Sequence, residues 1–513
     1  MSLSVLIWLP AAIAVVVALL PVRLVRPVAA LGSLAPLGVA IYFMVRFDSG
    51  QSGLQFVTDK VWIGALGIHY KLGINGLNVT LILLTAVLFS VSLFWSAGQL
   101  LERPRLYYFW FGLAESAVLG AFCAQDLMLF VAFFDLMLIP FYFLAGQWGG
   151  PDRVRATIKL VIYTMVGSFL MLAAAIATGV IGTGPHLNFT FTALSHIHLS
   201  HSSQDWLFLC FAAAFLVKMP LVPFHGWLRD AYKAMPIPVV AVFSGILSKV
   251  AAYGFLRIVL PLFPYASRHY QLAMLLIALV SIIWATSLAF TVRDARLVVA
   301  YSSVAQLAFI TLGIFSLRPD GAQGALLQMV NHGLVTAGAF FLVAAVAARC
   351  GGSENLDDMG GMAFRAPVLA SLFLIIALAT LAMPGSSNFI GEFMILLGVF
   401  QTKMAIAIIA FLGVVGASFY GLRLFIRAMH NRPGPRVASR EIVGTESIAV
   451  IPLVLVILAL AFFPQFGLHR SQQSVKATIA AVRSSGSGAG QAAAVGSTKA
   501  VAVAALTPRG GNP

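Results

Sequence analysis

Charged residues are scarce in this chain. Only 10% of its 513 residues are Asp, Glu, Lys or Arg, and 60% are hydrophobic, whereas soluble domains carry about 25% charged residues. A soluble globular protein and a disordered chain are both excluded. The net charge of +15 comes from single Arg and Lys residues between apolar runs, so the sequence indicates no basic patch for nucleic acid.

Cysteine is almost absent as well. The three cysteines form no Cys-x-x-Cys pair, which excludes a disulfide framework and an iron–sulfur site of that kind. Three histidines, His196, His198 and His201, share a polar loop, but no carboxylate or cysteine stands beside them at ligand spacing. We therefore expect no metal site in this chain.

Apolar runs of about 20 residues recur along the chain, which is the length that spans a bilayer as a helix. They predict an all-α polytopic membrane protein with fourteen spans. The predicted ranges are 3–21, 28–46, 75–97, 106–123, 126–147, 158–182, 205–224, 237–261, 270–291, 297–316, 322–348, 367–402 (broken), 404–430 and 446–466. The first run has no small-residue cleavage pattern after it, so we expect a retained helix rather than a signal peptide.

The positions of the arginines predict the topology. Most of them stand in the odd-numbered gaps between spans, counted from the first; the fifth gap, for example, holds Arg153, Arg155 and Lys159. By the positive-inside rule these gaps face the cytoplasm and both termini lie outside. Residues 471–513 are rich in Ser, Gly and Ala, so we predict a disordered tail after a transmembrane domain of residues 1–470.

Four charged residues lie inside predicted spans: Asp135, Lys218, Lys249 and Glu392. A charge at the centre of a spanning helix costs about 2.5–3.5 kcal/mol on insertion scales, so each one needs a partner or a function. Asp135 and Lys218 can be a static pair that fixes helix register. The four can instead form a proton relay, which requires several ionisable groups in the membrane. We favour the relay, because Lys249 and Glu392 lie in further spans.

Two spans are interrupted by proline. Pro220 and Pro223 follow Lys218, and a Pro-Gly pair at 384–385 precedes Glu392. Proline removes a backbone donor and frees carbonyl groups in mid-membrane. The interrupted spans are the seventh and the twelfth, which are the fourth members of two five-helix runs, spans 4–8 and 9–13. Matching interruptions in two halves are typical of an inverted-repeat transporter.

Three further ionisable residues are relay candidates: His332, His225 and Glu115. Both histidines lie near or inside apolar spans, and histidine can pass protons near neutral pH. A lone histidine in a span is as often a structural residue. Glu115 lies within a predicted span, ten residues before Gln125.

Five stretches carry a specific resemblance: 218–228 (KMPLVPFHGWL), 245–257 (GILSKVAAYGFLR), 300–303 (AYSS), 331–333 (NHG) and 384–393 (PGSSNFIGEF). They are similar to the antiporter-like membrane subunits of proton-pumping NADH:quinone oxidoreductase (respiratory complex I), to which Mrp-type cation/proton antiporter subunits are related. Glu392 resembles the NuoM type, because the other types more usually carry Lys there. The resemblance covers all fourteen spans, and the implied proton-conducting core is residues 106–430.

The resemblance implies roles for the buried charges. Asp135 would pair with Lys218 as a switch, Lys249 would relay the proton, and Glu392 would face the outlet with His332 nearby. It implies no cofactor in this chain: NADH, FMN, iron–sulfur clusters and quinone would belong to partner subunits. The partners would be neighbouring antiporter-like subunits and the lipid of a bacterial inner membrane, with both termini on its periplasmic side.

The chain departs from the family pattern at several positions. Asp135 stands where Glu is usual, Gln306 where His is common, and Arg229 and Tyr232 alter a stretch that often reads Leu-Pro-Asp-Ala-His. Two alternative functions therefore stay open. One is a subunit of a cation/proton antiporter or of a membrane-bound hydrogenase complex, and the other is a structural subunit that conducts no protons.

Overall fold

A computed structural model describes residues 1–504 of the chain, with side-chain surroundings through residue 484. In the first half the elements are α1 (Leu3–Leu19), α2 (Val22–Gly32), α3 (Leu34–Arg46), β1 (Gln55–Ile63), β2 (Ile68–Ile74), α4 (Val79–Ala97), α5 (Pro104–Cys123), α6 (Leu127–Leu136), α7 (Leu138–Trp148), α8 (Arg153–Thr183), α9 (Phe191–Leu194), α10 (His201–Lys218) and α11 (Leu228–Ala234). The antiparallel strands β1 and β2 form a hairpin.

In the second half the elements are α12 (Ile237–Val242), α13 (Ser248–Gly254), α14 (Leu260–Leu262), α15 (Pro264–His269), α16 (Gln271–Thr291), α17 (Ala295–Phe315), α18 (Pro319–Arg349), α19 (Pro367–Thr380), α20 (Ser387–Phe400), α21 (Met404–Met429), α22 (Thr445–Phe462) and α23 (Gln465–Ala504). Helices α12, α13 and α14 are one continuous pass with π-helical segments at Phe243–Leu247 and Phe255–Val259.

The described residues contain the predicted number of passes. Eleven segments are long and apolar enough to cross a membrane, among them the joined helices α2–α3, α6–α7 and α12–α14. Three passes are shorter or interrupted: α1, α10 with the segment after it, and the pair α19 and α20. The all-helical polytopic fold is confirmed.

The connections between passes alternate between two ends of the bundle. At one end, called the arginine end, Gly150 donates to the carbonyl of Ala234, and Arg349 pairs with Glu446. At the other, called the hairpin end because β1 and β2 lie there, Gln125 donates to the carbonyl of Lys71. Gaps rich in arginine thus share one end. Which end faces the cytoplasm stays a prediction.

Two five-helix runs start from opposite ends. Helix α5, the fourth pass, starts at the arginine end, whereas α16, the ninth, starts at the hairpin end, where Gln271 bonds the carbonyl of Phe315. The third member of each run, α8 and α18, has 31 residues. The fourth member is interrupted in both runs, at 219–227 and at 381–386. This is the arrangement expected of an inverted repeat.

A third interruption was not predicted. The fifth pass breaks between α6 and α7 at Met137, two residues after Asp135. Pro140 accounts for the break, because it has no N–H for the carbonyl of Leu136, four residues earlier, and its ring crowds that carbonyl. The break frees the carbonyl of Leu136, next to the half-buried side chain of Asp135.

The segment after the last pass differs from the disordered tail predicted for 471–513. It forms helix α23, on which Val475, Ile479 and Val482 are buried. Their spacing of four and three residues makes one narrow apolar stripe, which a reading based on average composition misses. Ser474 also accepts a hydrogen bond of 3.0 Å from the backbone N–H of Gly76. Residues 505–513 of the predicted tail lie outside the described residues.

Candidate functional site

Most of the predicted site residues lie deep inside the bundle. Lys218 is 4% exposed, Lys249 0%, His332 2% and Glu392 3%. Within the described part of the chain none of them, and not Asp135 either, forms an ion pair within 4.0 Å. Buried ionisable groups without ion partners are costly in a membrane, so they are candidates for function rather than for stability.

Asp135 and Lys218 lie at two helix interruptions. Asp135 is one residue before the end of α6, and Lys218 is the last residue of α10. Asp135 is the charged group that acts electrostatically on Lys218, yet no hydrogen bond joins them among the described residues, and Oδ1 of Asp135 is buried without a partner. The Lys218 ammonium instead lies 4.5 Å from the ring centre of Phe134. The two side chains are therefore close enough for their charges to interact, but no hydrogen bond joins them among the described residues.

Lys249 lies between the two π-helical segments of the eighth pass. Its ammonium donates a hydrogen bond of 2.6 Å to the carbonyl of Ser244, five residues earlier. A π segment displaces backbone groups from their ordinary helical partners, and such segments occur often at functional sites. The local backbone therefore supplies the acceptor that holds this lysine in the core.

One turn of α18 has residues near both Lys249 and Glu392. Gln328 and His332 stand four residues apart and so share a helix face. His332 lies close enough to Lys249 to feel its charge, and neither ring nitrogen of this described histidine has a hydrogen-bond partner. Gln328 lies on the Glu392 side, 3.5 Å from Oε1 of that carboxylate.

Two glutamines hold one oxygen of Glu392. Gln306 donates a hydrogen bond of 2.7 Å to Oε1 of Glu392, and Gln328 donates one of 2.7 Å to Oε1 of Gln306. Oε2 of Glu392 is buried without a partner among the described residues. Gly391 makes room for this arrangement, since a Cβ there would lie 2.3 Å from Oε1 of Gln328.

Further polar atoms surround the interruption between α19 and α20. The amide of Asn331 donates to the carbonyl of Ser387, which ties α18 to the start of α20. Among the described residues these buried atoms have no hydrogen-bond partner: Oγ of Ser386 and Ser387, both amide atoms of Asn388, and Oδ1 of Asn331. Buried polar groups are normally paired with protein or with ordered water. Asn331 is the chain neighbour of His332, and Asn388 stands four residues before Glu392, so this concentration of polar atoms lies next to both ionisable residues in the chain.

Two candidates from the sequence lie elsewhere. The ring of His225 lies 3.9 Å from that of Trp284, in the irregular segment after α10. Glu115 is buried on α5 and lines a separate cavity of about 20 Å³ with Tyr108 and Gly112. Neither the cavity beside Glu115 nor the ring contact of His225 includes any of the four central charges.

Sequence reasoning missed several polar residues of the interior. Gln328 and Ser244 gave no signal, because neutral polar residues are common in spans. Arg257 could have been found, since it stands in an apolar stretch two helical turns after Lys249. It donates to the side chain of Gln125 and lies 5.0 Å from the ring centre of Phe191. Over the described residues no group of three His, Cys, Asp or Glu side chains could hold a metal ion.

The chain matches known proteins over most of its length. Residues 124–419 match the family described as NADH:quinone oxidoreductase/Mrp antiporter, TM. NADH-quinone oxidoreductase subunit M of Rickettsia conorii is 33% identical over 451 residues, covering 88% of this chain and 91% of that protein. Subunit M of Escherichia coli is 35% identical over 431 residues, covering 81% and 84%.

Solved structures give the same picture. A chain of respiratory complex I from Thermus thermophilus has a TM-score of 0.85 and 29% identity, and the match covers 93% of this chain and 99% of that one. A chain of the Mrp complex from Dietzia has a TM-score of 0.81 at 20% identity, covering 94% and 99%. The second similarity is one of fold alone.

Proposed function

The chain belongs to the NADH:quinone oxidoreductase/Mrp antiporter family of membrane proteins, and we propose that it is a proton-translocating membrane-arm subunit of an NADH-quinone oxidoreductase. Its curated relatives carry the name subunit M. The observation that carries the proposal is the single turn of α18 on which His332 stands beside Lys249 and Gln328 beside Glu392.

Asp135 and Lys218 would load the proton. A buried ammonium is favoured by a nearby carboxylate and disfavoured by desolvation, so the separation of the two groups sets how strongly the lysine holds its proton. Both residues stand at helix interruptions, where the backbone can adjust without breaking a regular helix. Movement at these two points would bring the charges together or apart.

Lys249 and Glu392 would pass the proton on. Proton transfer needs donors and acceptors within hydrogen-bond reach, directly or through one water. Between Lys249 and Glu392 the interior offers His332 and the polar atoms of Asn331, Ser387 and Asn388. Water held by these groups would complete the path, because each of them has unused hydrogen-bonding capacity.

The redox chemistry would take place in partner subunits. The central residues of this chain are Asp, Lys, His, Glu and amides, which move protons but do not carry electrons. NADH, FMN, iron–sulfur clusters and quinone would be held by the partners. This subunit would be driven through contacts with neighbouring membrane subunits, and its residues would respond by shifting protons.

Two measurements on the intact complex test the proposal. The first is proton pumping per NADH oxidised in sealed vesicles that contain the Glu392→Gln variant. This substitution removes the ionisable carboxylate but keeps the size of the side chain and an oxygen that can accept the hydrogen bond from Gln306. We expect NADH oxidation to persist with reduced pumping. An unchanged ratio would mean that this subunit serves as a structural element.

The second measurement is mass spectrometry of proteins that co-purify with this chain. Peripheral subunits of an NADH dehydrogenase are expected. If the co-purifying proteins were instead those of a cation/proton antiporter or of a membrane-bound hydrogenase, the oxidoreductase proposal would be wrong, whereas the proton path could still be tested in that complex.

A further inference from the structure

A large cavity opens at the hairpin end, away from the central charges. Its volume is about 1060 Å³, and it lies between the loop before α10, the α14–α15 segment and α23. Its basic and aromatic lining residues are His196, His198, His201, Tyr265, Arg268 and His269. No Asp or Glu lines it within the described part of the chain, and Asp205, which follows the lining residue Gln204, is not among the lining residues.

Arg268 gives the cavity a positive charge. Among the described residues Arg268 belongs to none of the ion pairs. Its partly buried position limits its access to water. A guanidinium in such a place favours an anion that can accept two parallel hydrogen bonds, such as a carboxylate or a phosphate.

Two of the histidines are held in fixed positions. The ring of His201 stacks on Tyr265 with centres 3.7 Å apart, and the ring of His269 lies against Tyr265 with centres 5.8 Å apart. Gln204 fixes this stack, because its side-chain oxygen accepts a hydrogen bond of 3.0 Å from the backbone N–H of Tyr265. The stack preorganises two imidazoles beside Arg268.

The surface beside the cavity is apolar and exposed. On the first turns of α10, Trp206 is 41% exposed and Leu209 is 48% exposed. Tryptophan is typical of the boundary between membrane and water. We therefore expect the cavity to lie near the depth of the phospholipid headgroups. A metal is not the expected ligand, because no set of three ligating side chains among the described residues is close enough together.

We propose that this cavity binds a phosphate-bearing anion, with Arg268 as the principal charge and the imidazoles of His201 and His269 as neighbouring hydrogen-bond donors. The anion can be the headgroup of an anionic phospholipid or free phosphate.

The test uses the intact purified complex and phosphatidylglycerol. Native mass spectrometry would compare its binding with that of phosphatidylcholine. We expect Arg268→Gln to weaken phosphatidylglycerol binding about tenfold, the loss of one charge-assisted hydrogen bond. Lys60→Gln is the matched control, since Lys60 is an exposed charge on β1 at the same end. Equal binding by the two variants would overturn the proposal.

Two further arms identify the source of the anion and the part played by the histidines. If inorganic phosphate binds the delipidated wild-type complex but not Arg268→Gln, the site accepts the free anion; if only phosphatidylglycerol does so, the site is a lipid site. Weaker binding of phosphatidylglycerol by His201→Ala/His269→Ala than by the wild type supports a part for these two imidazoles. Unchanged binding in that variant would exclude it.

Discussion

Gln306 donates a hydrogen bond of 2.7 Å to Oε1 of Glu392, and this bond leaves Oε2 as the only oxygen of that carboxylate without a partner among the described residues. Gln328 in turn donates a hydrogen bond of 2.7 Å to Oε1 of Gln306 and so holds Gln306 in place. The carboxylate is thereby held in one orientation. An amide cannot release a proton as an imidazole does, so any proton exchange at Glu392 would use Oε2, on the side away from Gln306.

Gln306→Leu should impair pumping without preventing assembly. The change removes a hydrogen bond to an ionisable group, an interaction worth about 1.5–3 kcal/mol, and frees Glu392 to turn. We expect severalfold less proton pumping per NADH oxidised. Gln323→Leu is the control, because Gln323 lies on α18 but bonds Leu468 and Ser471 at the hairpin end. An equal loss in both variants would mean that Gln306 is only structural.

Lys249→Met should assemble normally and pump poorly. Loss of the charge relieves an insertion cost of about 2.5–3.5 kcal/mol, so the thermal stability of the complex should not fall. Proton flux in sealed vesicles checks the result. Lys159→Met is the matched control, since Lys159 forms a half-exposed pair with Asp230 at the arginine end. Full pumping stoichiometry in Lys249→Met would rule out the relay role.

Asp135→Asn distinguishes a switch from a static pair. If Asp135 sets the proton affinity of Lys218, the Asn variant should assemble and lose proton flux per complex. A static buried pair predicts instead a loss of about 3–5 kcal/mol of stability, and so less assembled complex. Because no ion pair is formed among these described residues, we expect the first result. Normal flux in fully assembled Asp135→Asn would contradict the switch.

Asp135→Glu should retain much of the activity. The longer arm keeps the negative charge and reaches farther toward Lys218, whose ammonium now lies against Phe134. A direct ion pair would hold the proton more firmly on Lys218. We therefore expect some slowing of turnover with a normal amount of complex. Measurement of proton flux per complex beside Asp135→Asn checks this, and complete inactivity would show that the spacing, not the charge, is essential.

Glu441 should stabilise the start of α19 in a pH-dependent way. It accepts backbone hydrogen bonds from Val368, Leu369 and Ile442. Burial raises the pKa of Glu441, but these donors outweigh it and the pKa lies below its ordinary value. The stabilisation is therefore present above the ordinary glutamate range near about pH 4.3 and is lost as the pH falls through the lowered pKa.

Glu441→Gln should accordingly speed hydrogen exchange at the first amides of α19 at neutral pH, by the equivalent of about 0.5–2 kcal/mol for a lost helix cap. The difference from the wild type should vanish in acid. Glu102→Gln, at an exposed glutamate of the same end, is the control. A difference that persists in strong acid would contradict the capping role of the carboxylate.

The arginine bias predicts that the arginine end faces the cytoplasm. In a background with the native cysteines replaced by serine, Arg155→Cys should resist an impermeant thiol reagent in intact cells, and Lys60→Cys, on the hairpin, should react. The opposite pattern would reverse the topology and with it the direction of the proposed proton path.

The sequence by itself determined the class of fold and the four central charges. In a bilayer, runs of apolar residues can satisfy their backbone hydrogen bonds only as helices. Charged residues such as Lys218 and Glu392 are therefore easy to recognise in these otherwise apolar spans. The prolines after Lys218 and before Glu392 located two interruptions, because proline acts within its own helix. The family resemblance then assigned roles to these residues.

Tertiary structure alone decided how those residues meet. Which helix faces which sets the separation of Asp135 from Lys218 and the hydrogen bond from Gln306 to Glu392. It also sets the surroundings of the π-helical segments around Lys249. The sequence does not show which residues far apart in the chain come into contact. The burial of Val475 on α23 has the same cause. Neutral amides such as Gln328 become parts of a site only when another helix brings a carboxylate within hydrogen-bond distance.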